Sequence, residues 1–499
     1  MMELNINLQD HGHLYEQIYD FIKNEIIKGK LLCDERLPST RSLAEFLSVS
    51  RTTVEMAYDQ LTSEGYIEAR PHRGYYICDI GSFLESAAVS RKTAYSTVKS
   101  VAVQTSKVSP KDILSDKKLE IDFSPRAIDL SEFPYATWKK ITREILVDAR
   151  SDMFSQGPSQ GDLSLREIIA RYLQLSRGVR CSADQIIVGA GNDYLLMLLE
   201  QIIGHRNVAM ELFSYKRACE IFERFSYDIA VTGMDESGML TQDLLKSSAN
   251  MVYVMPAHQY PTGIVMPIAR RMELLSWAKA KPDRYIIEDD YDSEFRYHGK
   301  SIPSLQASDP AGRVIYVGTF SKSIAPSIRV SYMVLPRSLE KAYRAKCSCF
   351  SSTVSRMNQA TLEEFIGNGY FERHLNKMRR KYKLKMELLV KELSPLQKYF
   401  GIYGSDAGLH ILLSANEVFS EILKKKEITE ADLIERIGTR GVRVYGLSEY
   451  KLQRDGRKLI LPSFLEREAI IMGFAALSDK EIIEGASKII EEVKNILAT

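Results

Sequence analysis

The chain has 499 residues, 45% of them hydrophobic and 26% charged, with a formal net charge of +2. That length exceeds one hydrophobic core and predicts about two to four domains, while the near balance of charge excludes a globally basic nucleic-acid binder. The six cysteines form no C-x-x-C pair and no apolar run reaches membrane-spanning length, so a reduced cytoplasmic protein with no membrane partner and no metal is expected.

In chain order, Leu14, Ile18, Phe21, Ile22 and Ile26 recur at helical spacing, and Gly29 can stop that helix. Pro38, Ser39 and Thr40 offer the start of a second helix, whose buried face is predicted at Leu43, Phe46 and Leu47. A turn through Ser48 and Val49 follows. Ser50 then caps a third helix striped by Val54, Ala57, Tyr58 and Leu61. Tyr66 to Arg70 and Tyr75 to Ile77 read as short strands joined by a turn through Pro71 and Gly74. Three small helices and a ribbon predict a winged helix-turn-helix over residues 1–80.

The polar positions agree with that reading. Arg51, Thr52 and Thr53 fall on the first turn of the third helix, opposite its apolar stripe, at the end of a recognition helix that enters the major groove. Arg41 opens the second helix, where backbone amides and a guanidinium both suit phosphate. Arg70, His72 and Arg73 put basic groups on the wing. The run LPSTRSLAEFLSVSRTTVEMAYDQLTSEGYIEARPHRGYYI resembles the GntR-type DNA-binding domain along its whole length. The resemblance implies a dimer on repeated half-sites of a double-stranded DNA operator.

From 81 to 118, Ser, Thr, Lys and Val dominate and no period stands out, which predicts a flexible tether. Extended, it would reach on the order of 100 Å at about 3.3–3.6 Å per residue.

Residues 119–499 alternate short apolar runs with helical patterns. Strands are expected at Ile186–Val188, Val208–Glu211, Ile229–Thr232, Met251–Met255, Tyr285–Glu288, Val314–Val317 and Val330–Leu335. The alternation predicts an α/β domain, a mostly parallel sheet with helices on both faces and ligands beyond the strands' carboxyl ends. From about Arg380 a smaller α+β part is expected, with strands at Leu409–Leu413, Val442–Tyr445 and Ile470–Phe474 and a final helix opened by the capping box Ser478 to Glu481.

The chemistry-bearing residues fall at those strand ends. Gly191 and Asn192 in GAGN precede a helix N-terminus and suit a phosphate. Tyr215 can stack on an aromatic ring, and Arg217 can take a carboxylate. Glu288, Asp289, Asp290 and Tyr291 end a buried strand in acids and a phenol. Ser321, Lys322 and Arg329 in GTFSKSIAPSIRVSYMVLP supply a hydroxyl, an amine and a guanidinium. A carboxylate for a pyridinium, a phenol for a ring hydroxyl, an amine for a Schiff base and a cradle for a phosphate together predict pyridoxal 5′-phosphate.

The ordered motifs GAGN, HQYPTG, EDDYDSEFRY and GTFSKSIAPSIRVSYMVLP resemble the fold-type I, class I aminotransferases over 119–499. The resemblance implies Asp289 on the ring nitrogen, Tyr291 on the ring hydroxyl, Lys322 as the Schiff-base lysine, and Ser321, Arg329 and the amides near Gly191 and Asn192 on the phosphate. Tyr215 matches the ring-stacking aromatic. Tyr260 stands where that pattern has asparagine, and Ile470 and Ile471 stand where it often has a carboxylate-binding arginine. Arg440 and Arg443 are further candidates for that carboxylate.

A GntR-type head on an aminotransferase-like body resembles the MocR-type (GabR-like) regulators. It implies a head-to-tail homodimer that senses an amino acid or amine when the effector amine displaces Lys322. Two other functions stay open: a regulator sensing pyridoxal phosphate itself, and an aminotransferase with a DNA-binding head.

Overall fold

The computed structural model describes residues 6, 14–27, 30–32, 34–63, 66–70, 74–77, 121–147, 151–297, 303–452 and 458–498. The expected tether at 81–118 and the wing residues His72 and Arg73 lie outside them. The chain divides into two compact units, 1–114 and 115–499.

The first unit contains α1 (Leu14–Ile27), α2 (Thr40–Leu47), α3 (Arg51–Ser63) and an antiparallel pair, β1 (Ile67–Arg70) and β2 (Gly74–Ile77). Ser39 Oγ caps α2 by accepting the Ser42 amide at 3.1 Å. Ser48 ends it in the left-handed region, at φ +55°, and Ser50 Oγ then accepts the Thr53 amide at 3.1 Å to start α3. Ile18, Ile22, Leu43, Val54, Tyr58, Leu61, Ile67 and Ile77 form the core. Phe46, expected inside, is 57% exposed, and Ala44 takes the buried place next to Leu43. Two residues, about 200° of helical rotation, separate the two and put them on opposite faces.

The second unit opens with β3 (Ile121–Asp122). Its main strands follow in chain order: β4 (Ile186–Gly189), β5 (Asn207–Glu211), β6 (Asp228–Thr232), the hairpin β7 (Met234–Asp235) and β8 (Gly238–Met239), β9 (Met251–Val254), β10 (Tyr285–Asp290), β11 (Val314–Thr319) and β12 (Ser331–Val334). The seven-stranded sheet runs β4-β12-β11-β10-β9-β5-β6. β12 is antiparallel to both neighbours, and the other pairings are parallel. Ile287, Ile315 and Met333 pack on one face while Val252, Ile286 and Val314 pack on the other, so the strands read as unbroken apolar runs.

The smaller sheet is β13 (Phe400–Tyr403), β14 (His410–Ala415), β17 (Ala469–Gly473) and β16 (Tyr445–Gly446), in that order. The strand expected at Val442–Tyr445 is split. β15 (Val442–Arg443) pairs with β3, and only β16 joins the small sheet. The helix Tyr370–Glu392 runs unbroken through Arg380, where the smaller part was expected to begin. The final helix, Asp479–Ala498, is capped by the reciprocal bonds of Ser478 and Glu481. Among the described residues no helix is long and apolar enough to cross a membrane.

Candidate functional site

Gly191, Asn192, Tyr215, Arg217, Asp289, Tyr291, Ser321, Lys322 and Arg329 all line one cavity of about 210 Å³. The sheet brings them together. Most lie at or just beyond the carboxyl ends of parallel strands, and Arg329 sits at the entrance to the reversed β12.

β10 delivers three buried acids in a row, and each has different partners. Glu288 accepts the backbone amides of Leu305 and Gln306 at 2.7 and 2.9 Å. Asp290 pairs with buried Arg177 at 2.8 Å and accepts the Tyr316 hydroxyl at 2.5 Å. Burial opposes the charge on Arg177, but Asp290 more than offsets it and raises its proton affinity. Asp289 faces the cavity, where the Tyr253 hydroxyl donates to it and Asn192 Nδ2 donates at 3.2 Å. Among the described residues no cation pairs with it, and burial pushes its carboxyl up to about 7.

Lys322 Nζ donates to the carbonyl oxygens of Arg126 at 2.8 Å and Pro125 at 3.3 Å. Burial lowers its amine to about 8; Asp292 pulls it the other way and Arg126 adds to the lowering. A useful share of the amine is therefore neutral, and nucleophilic, near neutral pH. The Tyr291 hydroxyl lies 3.0 Å from His258 Nδ1, and that nitrogen lies 3.0 Å from Asp292 Oδ2. The imidazole Nδ1 thus stands between the phenol and the Asp292 carboxyl group and fixes their positions. Burial holds the Tyr291 phenol far above its usual range, so it is protonated.

Gly191 forms the other end of the cavity. Its φ is +101°, and a Cβ there would collide with the Arg329 guanidinium. Glycine therefore lets that guanidinium lie against the start of the helix Asn192–Ile203, where Arg329 Nη2 donates to Ala190 O at 3.1 Å. Arg217 pairs with Asp193 at 3.2 Å, and Asp193 is also 3.9 Å from Arg329.

Arg440 instead binds Glu491 and Glu492 at 2.8 and 2.6 Å, and Arg443 lies over the Tyr445 ring at 5.3 Å; neither lines the cavity. Ile470 and Ile471 are core residues of β17. The cavity does contain a cation that no motif marks, Arg126. Its segment is brought in by close approach to β17, where a Cβ on Gly473 would collide with the Ser124 carbonyl. His258, Asp292 and Tyr253 also act here through tertiary contacts rather than spacing.

On the head, Arg41 and Arg51 are exposed and pair with Glu45 at 3.2 Å and Glu55 at 2.8 Å. Thr52 is exposed, while Thr53 Oγ1 lies 2.7 Å from Ser50 Oγ and completes the cap of α3. Arg70 bonds Asp34 and Glu68, both at 2.5 Å, and lies over the Tyr76 ring at 4.3 Å.

Residues 14–77 match the family described as "Bacterial regulatory proteins, gntR family", and residues 129–460 match "Aminotransferase class I and II". The chain is 37% identical over 479 residues to the uncharacterized HTH-type transcriptional regulator YdeL of Bacillus subtilis, covering 95% of this chain and 96% of the relative. It is 32% identical over 403 residues to the probable rhizopine catabolism regulatory protein MocR of Rhizobium meliloti, covering 80% and 81%. The fold is similar to the crystal structure of a multiple substrate aminotransferase from Thermococcus profundus, with TM-score 0.68 and 23% identity over 82% of this chain and 99% of that one. The residues present fit pyridoxal 5′-phosphate. Asp289 is a buried acid lacking a cation, and the space at Gly191 under Arg329 is one that any side chain would fill.

Proposed function

Because the chain belongs to the MocR-type regulators of the GntR family, we propose that its body senses an amino acid or amine and its DNA-binding head reports it. It is a transcriptional regulator whose aminotransferase-like body takes pyridoxal 5′-phosphate. When bound, the cofactor supplies an aldehyde that condenses reversibly with a primary amine.

Lys322 would be the resident amine for that aldehyde, and an effector amine would compete with its Nζ. Asp289 would meet the ring nitrogen and keep its proton. Tyr291, steadied by His258, would donate to the ring hydroxyl, and Tyr215 would lie against the ring. The amides at Gly191 and Asn192, with Ser321 and Arg329, would hold the phosphate. The carbonyls of Pro125 and Arg126 hold the Lys322 amine when it is free. Two copies pair head to tail, and their heads read repeated half-sites through Arg41, Arg51, Thr52, Thr53 and the wing. An effector shifts DNA binding only by favouring one arrangement of the pair over another.

The observation that carries this reading is the convergence in one cavity, from separate stretches of sequence, of an amine lowered to about 8, a buried acid that among the described residues meets no cation, and a glycine-lined cradle. The test is a titration of cofactor-loaded protein with amino acids and amines, following visible absorbance and operator affinity together. At least one amine is expected to shift both. Lys322→Ala is expected to lose the imine band and the response while still binding DNA. A Lys322→Ala protein that responds like the wild type overturns the reading, and sustained turnover with a keto acid would make the protein an enzyme instead.

A further inference from the structure

The cavity carries four cations: Arg126, Arg217, Lys322 and Arg329. Arg217 and Arg329 share Asp193, so the charge at that end is already partly answered. Lys322 is committed to the cofactor in the reading above. Arg126 differs from all three. Among the described residues no carboxylate pairs with it. Tyr260 lines the same cavity and donates its hydroxyl to that of Tyr450 at 2.9 Å, and both phenols lie close enough to favour the charge on the Arg126 guanidinium. Its own backbone carbonyl holds Lys322 Nζ at 2.8 Å, so the guanidinium is tethered within a few bonds of the reacting amine.

The guanidinium lines a ligand cavity, is open to solvent, and among the described residues has no carboxylate beside it, so an incoming anion displaces no existing partner. The planar guanidinium can donate to both oxygens of a carboxylate in parallel. The Tyr260 hydroxyl, held by its bond to Tyr450, sets the wall beside it. Ile470 and Ile471 are fully buried and bring no cation from β17. Arg217, the residue expected to meet the effector, is already held by Asp193.

We propose that Arg126, beside a Tyr260 that Tyr450 holds in place, binds a carboxylate of the effector, so that the effector is an amino acid and a simple amine is a poor substitute. This rests on the sensing reading above. Tyr260, which stands where the aminotransferase pattern has asparagine, thereby serves the effector's anion rather than the cofactor ring.

The test uses full-length, cofactor-loaded protein and matched pairs that differ only by the carboxylate: L-alanine against ethylamine, and 4-aminobutyrate against n-propylamine. The readout is the concentration of each that half-shifts the absorbance band. In the wild type, the amino acid of at least one pair is expected to act at a concentration about tenfold or more below its amine, the range of a charge-assisted pair. Arg126→Gln is expected to collapse that ratio toward one, and Arg126→Lys to keep part of it. The Lys322 band of each variant, recorded before titration, reports that the site has assembled. Tyr450→Phe, which removes one hydroxyl and no charge, is expected to lower the ratio by a few fold. Equal potency of amino acid and amine in the wild type, or an unchanged ratio in Arg126→Gln, overturns the proposal while leaving amine sensing intact. A band that no primary amine shifts overturns the sensing reading, and this proposal with it.

Discussion

In the head, Arg41 and Arg51 stand in solvent, each held by an acid one turn along its own helix. In the body, Asp290 ends a buried strand, and its partner Arg177 lies 113 residues away at the end of a helix. The first kind of pairing is cheap to make and to lose, since exposed pairs are worth about 0.2–1 kcal/mol. In the second, removing one partner strands a buried charge. The arginines proposed to meet DNA can therefore be altered with little effect on stability, whereas the cavity cannot be separated from the core that frames it.

The sharpest way to break this contrast is Arg177→Met, which leaves Asp290 as a buried charge with no counter-ion. It is expected to cost about 3–5 kcal/mol and to lower the melting temperature of the body. A calorimetric scan with an unchanged body transition would show that the pair is dispensable.

Asp289→Asn is the next test, and its sign depends on the ligand. A carboxyl raised from 3.8 to about 7 in the folded chain contributes stability at low pH that is lost as pH rises through that window. Without cofactor, Asp289→Asn is expected to melt higher than the wild type at pH 8 and with little difference near pH 4. With cofactor the order reverses, because the ring nitrogen loses its acid, and cofactor affinity is expected to fall by about tenfold or more. Melting curves at both pH values, with and without pyridoxal phosphate, check both halves.

Arg51→Ala probes the head and is the mildest change. Operator affinity is expected to weaken by about 1–2 kcal/mol, while the head's stability moves by no more than about 0.5 kcal/mol. Fluorescence anisotropy and a thermal melt on the same sample separate the two. A large loss of stability would mean that the Arg51–Glu55 pair holds α3 together.

How much the sequence revealed divides along the same line. The head's elements follow from local signals, namely a Ser39 cap, a left-handed Ser48 and an apolar stripe, and only Phe46 was misplaced. The body's apolar runs showed its seven main strands, but β10 runs two residues past Glu288. Nothing local distinguishes Asp289, which meets the cavity, from Asp290, which meets Arg177; that choice came from resemblance to a family. Val442–Tyr445 looked like one strand because its apolar spacing is continuous, and its two pairing partners are set by strands hundreds of residues away in one case and about 25 in the other. Arg126 carried no signal at all. Its place is decided by how closely the backbone at Ser124 lies against Gly473.

Lys322 rests on the carbonyls of Pro125 and Arg126, in the first described stretch of chain after residue 120. Whatever bonds to that nitrogen also unfastens it from this ribbon, and whatever frees the nitrogen lets it fasten again. The side chain proposed to do the chemistry is thus also a latch on the stretch of backbone that opens the described part of the body.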